Sequence, residues 1–339
     1  MRLSHFVKSM AVLMAVLMAT LMAALVLGLA AMSGNALAGP YPSEPVHVVV
    51  GFAPGGGTDV MGRIVAQMLA QKLNGSFVVL NKAGAGAMLG ADFVAKAAPD
   101  GYTLLLGTSA ELTISPPLYG NAGYDPTAFV PIAFLGTSPA ILLANPGFPA
   151  NSIGDVIAQA RKSPGELSVA TGGTGTAPDL AAHQLKLIEN LNFTIVPYKG
   201  AGPSQSDAVA GHVPLVFSTV ASALPLILGK ELKPLAVIAQ KRSSLVPDVP
   251  SVAEAGLKDY SAVTWFGLFA PAGTPPEIVA QLRGAVETIE KDAAVKEQFA
   301  KLGVEAASPD DTPEALSARI KAELANWAKV IEKAAIKVQ

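Results

Sequence analysis

The 339 residues, 51% of them hydrophobic, can bury the core of two domains or of one large one. The 24 basic and 26 acidic side chains, a formal net charge of -2, form no basic stripe of the kind that neutralises nucleic-acid phosphates, so nucleic acid is excluded as a partner. With no cysteine there is no disulfide, no thiolate-ligated zinc, no iron–sulfur cluster, no thiol nucleophile and no lipid-attachment cysteine.

Arg2 and Lys8 precede a run of apolar and small residues from Ala11 to Met32, the order of a charged leader and a hydrophobic region. Ser33-Gly34-Asn35 breaks the run, and Ala36-Leu37-Ala38 supplies the small-x-small pattern that a signal peptidase accepts. Residues 1–38 are therefore expected to be a cleavable signal peptide, with Gly39 first in the mature chain. The run is also long enough to span a bilayer, so a retained anchor is the competing reading.

From Val46 onward, short β-branched runs alternate with helical stretches. Strands are expected at Val46–Val50, Phe77–Leu80, Thr103–Leu106, Ile132–Leu135, Ile141–Leu143, Ser168–Ala170, Thr194–Val196, Leu215–Phe217 and Leu235–Ile238. Met61, Ile64, Met68, Leu69 and Leu73 recur at helical spacing within Val60–Leu73, and Ile153–Arg161 and Asp179–Ile188 behave similarly. The alternation reads as α/β, with mostly parallel sheets carrying helices on their faces. Beyond Pro276, Ala280–Glu290 and Leu316–Val330 are amphipathic, are separated by the Gly303 turn, and are expected on an outer face.

The loops after the strands carry the candidate chemistry. Gly51-Phe52-Ala53-Pro54-Gly55-Gly56-Gly57-Thr58-Asp59 follows the first strand and opens a helix, with Thr58 or Asp59 as its expected N-cap. Free N–H groups there, aligned with the positive end of the helix dipole, suit an anion without any positive side chain. Ala170–Asp179, containing Gly173, Thr174, Gly175 and Thr176, is a second such loop, with Pro178 placed for the first helical turn. The third is Asn81–Ala87, with Gly84 and Ala85, and the fourth is Gly107–Ala110, with Thr108 and Ser109. In parallel α/β sheets ligands sit beyond the carboxyl ends of the strands, where all four loops fall.

Enzyme chemistry finds little support. Gly84-x-Gly86-x3-Gly90 suggests a dinucleotide fingerprint, but the following strand ends in Gly107-Thr108 rather than in an acidic residue. No Gly-x-Ser-x-Gly elbow occurs, and beyond the leader the histidines are His47, His183 and His212, each read as structural or solvated. No spacing resembles a metal site, so neither catalytic residue, cofactor nor metal is expected.

Several stretches together resemble a known family. They are Tyr41-Pro42-Ser43, Phe52-Ala53-Pro54-Gly55-Gly56, Ala98–Leu105, Val196-Pro197-Tyr198-Lys199-Gly200, Leu245–Gly256 and Gly267–Pro275. The chain resembles the Bug-type solute receptors, the extracytoplasmic binding proteins of tripartite tricarboxylate transporters. The resemblance implies a type II periplasmic-binding-protein fold, two α/β lobes with a ligand cleft between them. Lobe 1 is expected at 41–130 and 239–339, and lobe 2 at 131–238. It also implies a periplasmic protein that captures a small carboxylate and delivers it to integral membrane subunits of a transporter; a receptor feeding a sensor kinase would have the same binding chemistry.

In that family the first-strand loop grips a carboxylate through backbone groups and bridging waters, which carries over onto Ala53 to Asp59. The opposing lobe contributes its Gly/Ser/Thr loop, matched by Gly172 to Thr176, and the end of the strand at Phe217, with Ser218 and Thr219. Ser218 stands where family members often carry Asp suited to a ligand amino group, which argues for an acid without an amine. Lys82-Ala83 stands where the family commonly has Arg-Pro.

Overall fold

The computed structural model describes residues 41–336 apart from 55, 56, 199, 259 and 309, together with 14, 17, 18 and 20–22. The expected signal sequence and its cleavage site otherwise lie outside the described residues. Among the described residues no helix is long and apolar enough to cross a membrane.

The first half of the fold runs β1 (Val46–Val50), α1 (Gly57–Leu73), β2 (Phe77–Asn81), α2 (Met88–Ala95), β3 (Thr103–Thr108), a π-helical turn (Ala110–Ile114) and α3 (Ser115–Tyr119). β1 pairs in parallel with β2 and with β3, and Val46, Val48, Val49 and Val50 are fully buried. β-Branched residues suit strands covered on both faces, which accounts for the valines; the exposed His47 is the one break in the run.

β4 (Val130–Ala144) then carries the chain onward as one 15-residue strand. Two short strands were expected there. The intervening Gly136 instead lies at a register irregularity inside the strand, where a Cβ would overlap the carbonyl of Glu305. Up to Pro139, β4 pairs with β9 (Val263–Ala270); from Ala140 it pairs with β7 (Leu215–Thr219) and β8 (Lys233–Ile238).

The second half is built on α4 (Ile153–Lys162), β5 (Ser168–Thr171), α5 (Ala177–Ile188), β6 (Thr194–Pro197), α6 (Ala201–Val209), β7, α7 (Val220–Leu228) and β8. β5 pairs in parallel with β6 and β7. The expectation of mostly parallel sheets therefore holds on the flanks and fails at the centre, where β4 and β9 run antiparallel to their neighbours. β4 takes the chain out of the first half and β9 belongs to its return, so the two run in opposite directions.

After β9 come α8 (Pro276–Glu290), α9 (Ala293–Lys301), β10 (Glu305–Ala306) and α10 (Pro313–Lys333). Rather than covering one outer face, α10 joins two cores. Leu316 and Ile320 pack with Val49, Leu105 and Phe269 of the first half, and Trp327, Val330 and Ile331 pack with Leu142, Leu180 and Phe217 of the second. Each such side chain contributes about 1.5–3 kcal/mol on burial, so the helix fastens both halves.

Candidate functional site

A cavity of about 230 Å³ opens where the two halves face each other. Thr58, Thr108 and Ser109 reach it from the first half and Thr176, Ser218 and Thr219 from the second. Among the described residues its wall holds no charged side chain; Phe52, Ile114 and Phe217 supply apolar surface.

The first loop does not cap α1 as expected. The helix begins at Gly57, so Thr58 and Asp59 fall inside its first turn. An acid there still favours the helix dipole, but the Asp59 carboxylate is 2% exposed and committed to the protein. It accepts hydrogen bonds from Arg63 Nε (3.0 Å) and Nη2 (3.1 Å) and from Asn81 Nδ2 (2.9 Å). Asn81 Nδ2 also donates to the Phe52 carbonyl at 3.0 Å, which fixes the loop to the end of β2. Ala53 and Pro54 are exposed and do not line the cavity, and Gly55 and Gly56 lie outside the described residues. Gly57 instead lines an adjoining space of about 430 Å³ that shares Thr58, Thr219, Ser222 and Thr264 with the cavity.

The third loop is in contact with the first. A Cβ on Gly90 would overlap the Gly51 backbone, and one on Gly51 would overlap Ala87, so these glycines serve close approach of two chain segments. Gly84 and Ala85 are exposed and do not line the cavity.

At the end of β3, Thr108 is held from behind by Glu111. Its N–H donates to Glu111 Oε1 at 2.7 Å and its hydroxyl to Oε2 at 2.6 Å, while the Ala110 N–H donates to Thr108 Oγ1 at 3.1 Å. Glu111 is fully buried, and burial pushes its carboxyl up to about 7 against these hydrogen bonds, which pull the other way. Ser109 is 2% exposed, and its carbonyl accepts from Thr113 Oγ1 at 2.8 Å.

On the opposite wall Thr176 caps α5, its Oγ1 accepting from the Asp179 N–H at 3.3 Å, and Pro178 sits in the first turn as expected. The loop before it is wired internally. Gly175 N–H donates to Asp179 Oδ2 at 3.1 Å and Thr171 Oγ1 to Oδ1 at 2.8 Å, so the Gly175 amide is already used. Burial raises the Asp179 carboxyl and lowers the nearby His183 imidazole. Gly172 and Thr176 line the cavity; Gly173, Thr174 and Gly175 lie outside its wall.

At the end of β7 the hydroxyls form one network. Ser218 Oγ accepts from Gln205 Nε2 at 2.8 Å and meets Ser222 Oγ at 2.9 Å, and Thr219 caps α7 by accepting from the Ser222 N–H at 3.2 Å. Gln205, Ser222 and Thr264 were not anticipated. Thr219-x-x-Ser222 after a strand is a legible cap, whereas Gln205 and Thr264 carry no local signal.

Four helices of nine residues or more, α1, α5, α6 and α7, thus begin at this cavity, represented by Thr58, Thr176, Ala201 and Thr219. Converging positive dipole ends and hydroxyls without a lysine or arginine suit a small anion. Trp265 is fully buried in the core, and Arg242 pairs with Glu254 at 3.0 Å, while Lys199 lies outside the described residues. His47 and His212 are exposed, and among the described residues no cluster of three or more His, Asp or Glu could hold a metal ion.

Comparison with known proteins gives consistent matches. Residues 61–336 match the family model described as the tripartite tricarboxylate transporter family receptor. Protein BugT of Bordetella pertussis is 34% identical over 92% of this chain and 96% of its own. A Rhodopseudomonas palustris protein solved with adipate is 33% identical, with a TM-score of 0.76 over 88% of this chain and 99% of that one. MatC from Rhodopseudomonas palustris, solved with bound malate, is 33% identical, with a TM-score of 0.73 over 86% of this chain and 100% of that one.

Proposed function

Because this chain belongs to the receptor family of the tripartite tricarboxylate transporters, we propose that it captures a small carboxylate without an amino group in the periplasm and hands it to the membrane subunits of such a transporter. Members of the family are solute receptors and not enzymes, and the fold is the two-lobed periplasmic-binding-protein fold that the resemblance implies.

The observation that carries the ligand reading is the uncharged cavity into which four helix N-termini open. A carboxylate there takes hydrogen bonds from N–H and O–H donors, each worth about 1.5–3 kcal/mol when the acceptor is charged. The volume, about 230 Å³, is below the ~300–1,000 Å³ of drug-sized sites, so the solute is small. Malate and adipate in the two relatives are acids of this class. No acidic side chain lines the described wall to meet an ammonium group, and Ser218 is engaged with Gln205 and Ser222.

Binding is read as closure of two lobes around the acid. The lobes exchange partners at Pro139/Ala140 within β4 and again between Ile238 and Val263, with α10 spanning both. The seat is assigned to Thr58, Thr108, Ser109, Thr176, Ser218 and Thr219. A thermal-shift screen of carboxylic acids tests the reading. An acid at 100 times its Kd should add about 2.7 kcal/mol of stability, while aspartate and glutamate give no shift. A response to aspartate or glutamate matching that of amine-free acids would overturn it.

A further inference from the structure

Behind the cavity wall lies a carboxyl that the binding chemistry above does not use. Glu323 sits on α10 between Ile320, which packs in the first core, and Trp327, which packs in the second. It is half-buried, and its Oε2 accepts from Trp265 Nε1 at 2.8 Å on β9 and lies 3.0 Å from Thr113 Oγ1 in the π-helical turn. Trp265 adjoins Thr264 of the cavity wall, and Thr113 holds the carbonyl of Ser109, also on that wall. The carboxyl is therefore one contact removed from the cavity along two separate paths.

The proton count at Thr113 is informative. Its hydroxyl has one hydrogen, and the Ser109 carbonyl 2.8 Å away can only accept. With that hydrogen committed to Ser109, the 3.0 Å contact to Glu323 is a hydrogen bond only if Glu323 supplies the proton. All three contacts are satisfied together when Glu323 is a neutral acid, accepting from Trp265 and donating to Thr113. When Glu323 ionises, Thr113 must turn its hydrogen to the carboxylate and release Ser109. A negative charge then also stands behind a cavity read as an anion seat.

We propose that Glu323 is a positioning residue for the ligand cavity: in its neutral form it relays a hydrogen bond through Thr113 to Ser109, and its ionisation weakens the hold on an anionic solute. The effect on the solute rests on the carboxylate reading above; the relay does not. Removal from water raises the Glu323 carboxyl above its ordinary value, while Trp265, Thr113 and Arg319 pull it down. The other charged groups around it are Lys241 and Arg242 from the segment after β8, Glu305 of β10, Asp310 and Asp311 before α10, and Glu111 in the turn that carries Thr113. Glu323 shares with most of these a cleft of about 640 Å³, through which its proton exchanges with solvent.

The test is an NMR titration of the ligand-free protein from pH 4.5 to 8, following the Trp265 indole N–H and the Ser109 amide. The titrations are run in a Glu111→Gln background, which removes the carboxyl bonded to Thr108 beside Ser109 and should leave the Trp265 midpoint of the parent in place. In that background both signals should titrate together at a midpoint above the ordinary glutamate value, and both should be flat when Glu323→Gln is added. With Thr113→Val added instead, the Trp265 signal should still titrate while the Ser109 response disappears. A Trp265 signal that does not move, or that moves equally in Glu323→Gln, overturns the relay. Calorimetry with malate and adipate at pH 5 and pH 8 completes the test: the affinity of the parent protein relative to that of Glu323→Gln, a ratio in which ionisation of the acids and of Glu111 cancels, should fall about tenfold at the higher pH. An equal ratio at both pH values would overturn the link to binding. Failure of both acids to bind, with the NMR result intact, would count against the ligand reading and leave the relay standing.

Discussion

Glu111 gives the structure a measurable pH dependence. Its carboxyl stands at about 7 in the folded chain against an ordinary 4.5, with burial as the largest cause. Between those values the folded state binds a proton that the unfolded state has released. Stability therefore falls as pH rises through this window, is fully present below about 4.5, and is lost above about 7. At about 1.4 kcal/mol per pH unit the displacement is worth about 3 kcal/mol. Glu111→Gln removes the titration, and also replaces one acceptor of the Thr108 N–H and hydroxyl with a donor, costing about 1–3 kcal/mol in its own right. The two effects separate by pH. Urea unfolding at pH 4.5, 6 and 8 should show the mutant less stable at pH 4.5, with the difference shifting by about 3 kcal/mol in the mutant's favour by pH 8, enough to close or reverse it. A gap independent of pH, or one that widens with pH, would refute the reasoning. The subtraction of the two proteins cancels the other titrating groups, including Asp179 and Glu323, whose carboxyls are also raised.

Three further outcomes are expected. Gly303 has φ +68°, and a Cβ there would overlap the Ala221 backbone at the start of α7, so Gly303→Ala should hold the two halves apart and lower acid affinity at least tenfold by calorimetry, with no change in any cavity residue. Thr176→Ala removes the α5 cap, costing about 1 kcal/mol in chemical denaturation, and also frees the Gly173 carbonyl to which the hydroxyl donates at 2.9 Å, so the loop beside the cavity loosens and affinity falls with it. Ser218→Asp places a carboxylate in the anion seat; it should lose malate and adipate at least tenfold in calorimetry, while any new response should come from amino acids.

The sequence was most readable where a local pattern has one physical solution. Val46–Val50 is a strand because four β-branched valines, interrupted only by His47, precede a Gly-rich turn, and the structure starts and stops the strand at those residues. β4 was not readable as one element, since Gly136 and Pro139 look like a break unless the neighbours β10 and β9 are known. β9 was missed because its value lies in joining two halves: Trp265 and Phe269 are core residues, but periodicity does not say that their run lies between β3 and β4. The site followed the same division. Thr108, Ser109 and Thr176 stand in loops that follow strands, which made them visible, and they lie on the cavity wall. Gln205 and Thr264 reach the site only through tertiary packing, and the Asp59 and Gly175 groups that looked free in sequence are spent on partners inside the protein.

Calorimetry comparing one amine-free acid that stabilises the protein with its primary amide, at the same pH and salt, tests the central claim most directly. Two or three donors that each lose about 1 kcal/mol when the acceptor becomes neutral predict a preference of roughly 100-fold for the acid. Equal binding of acid and amide would show that the cavity does not read negative charge, and would contradict the account.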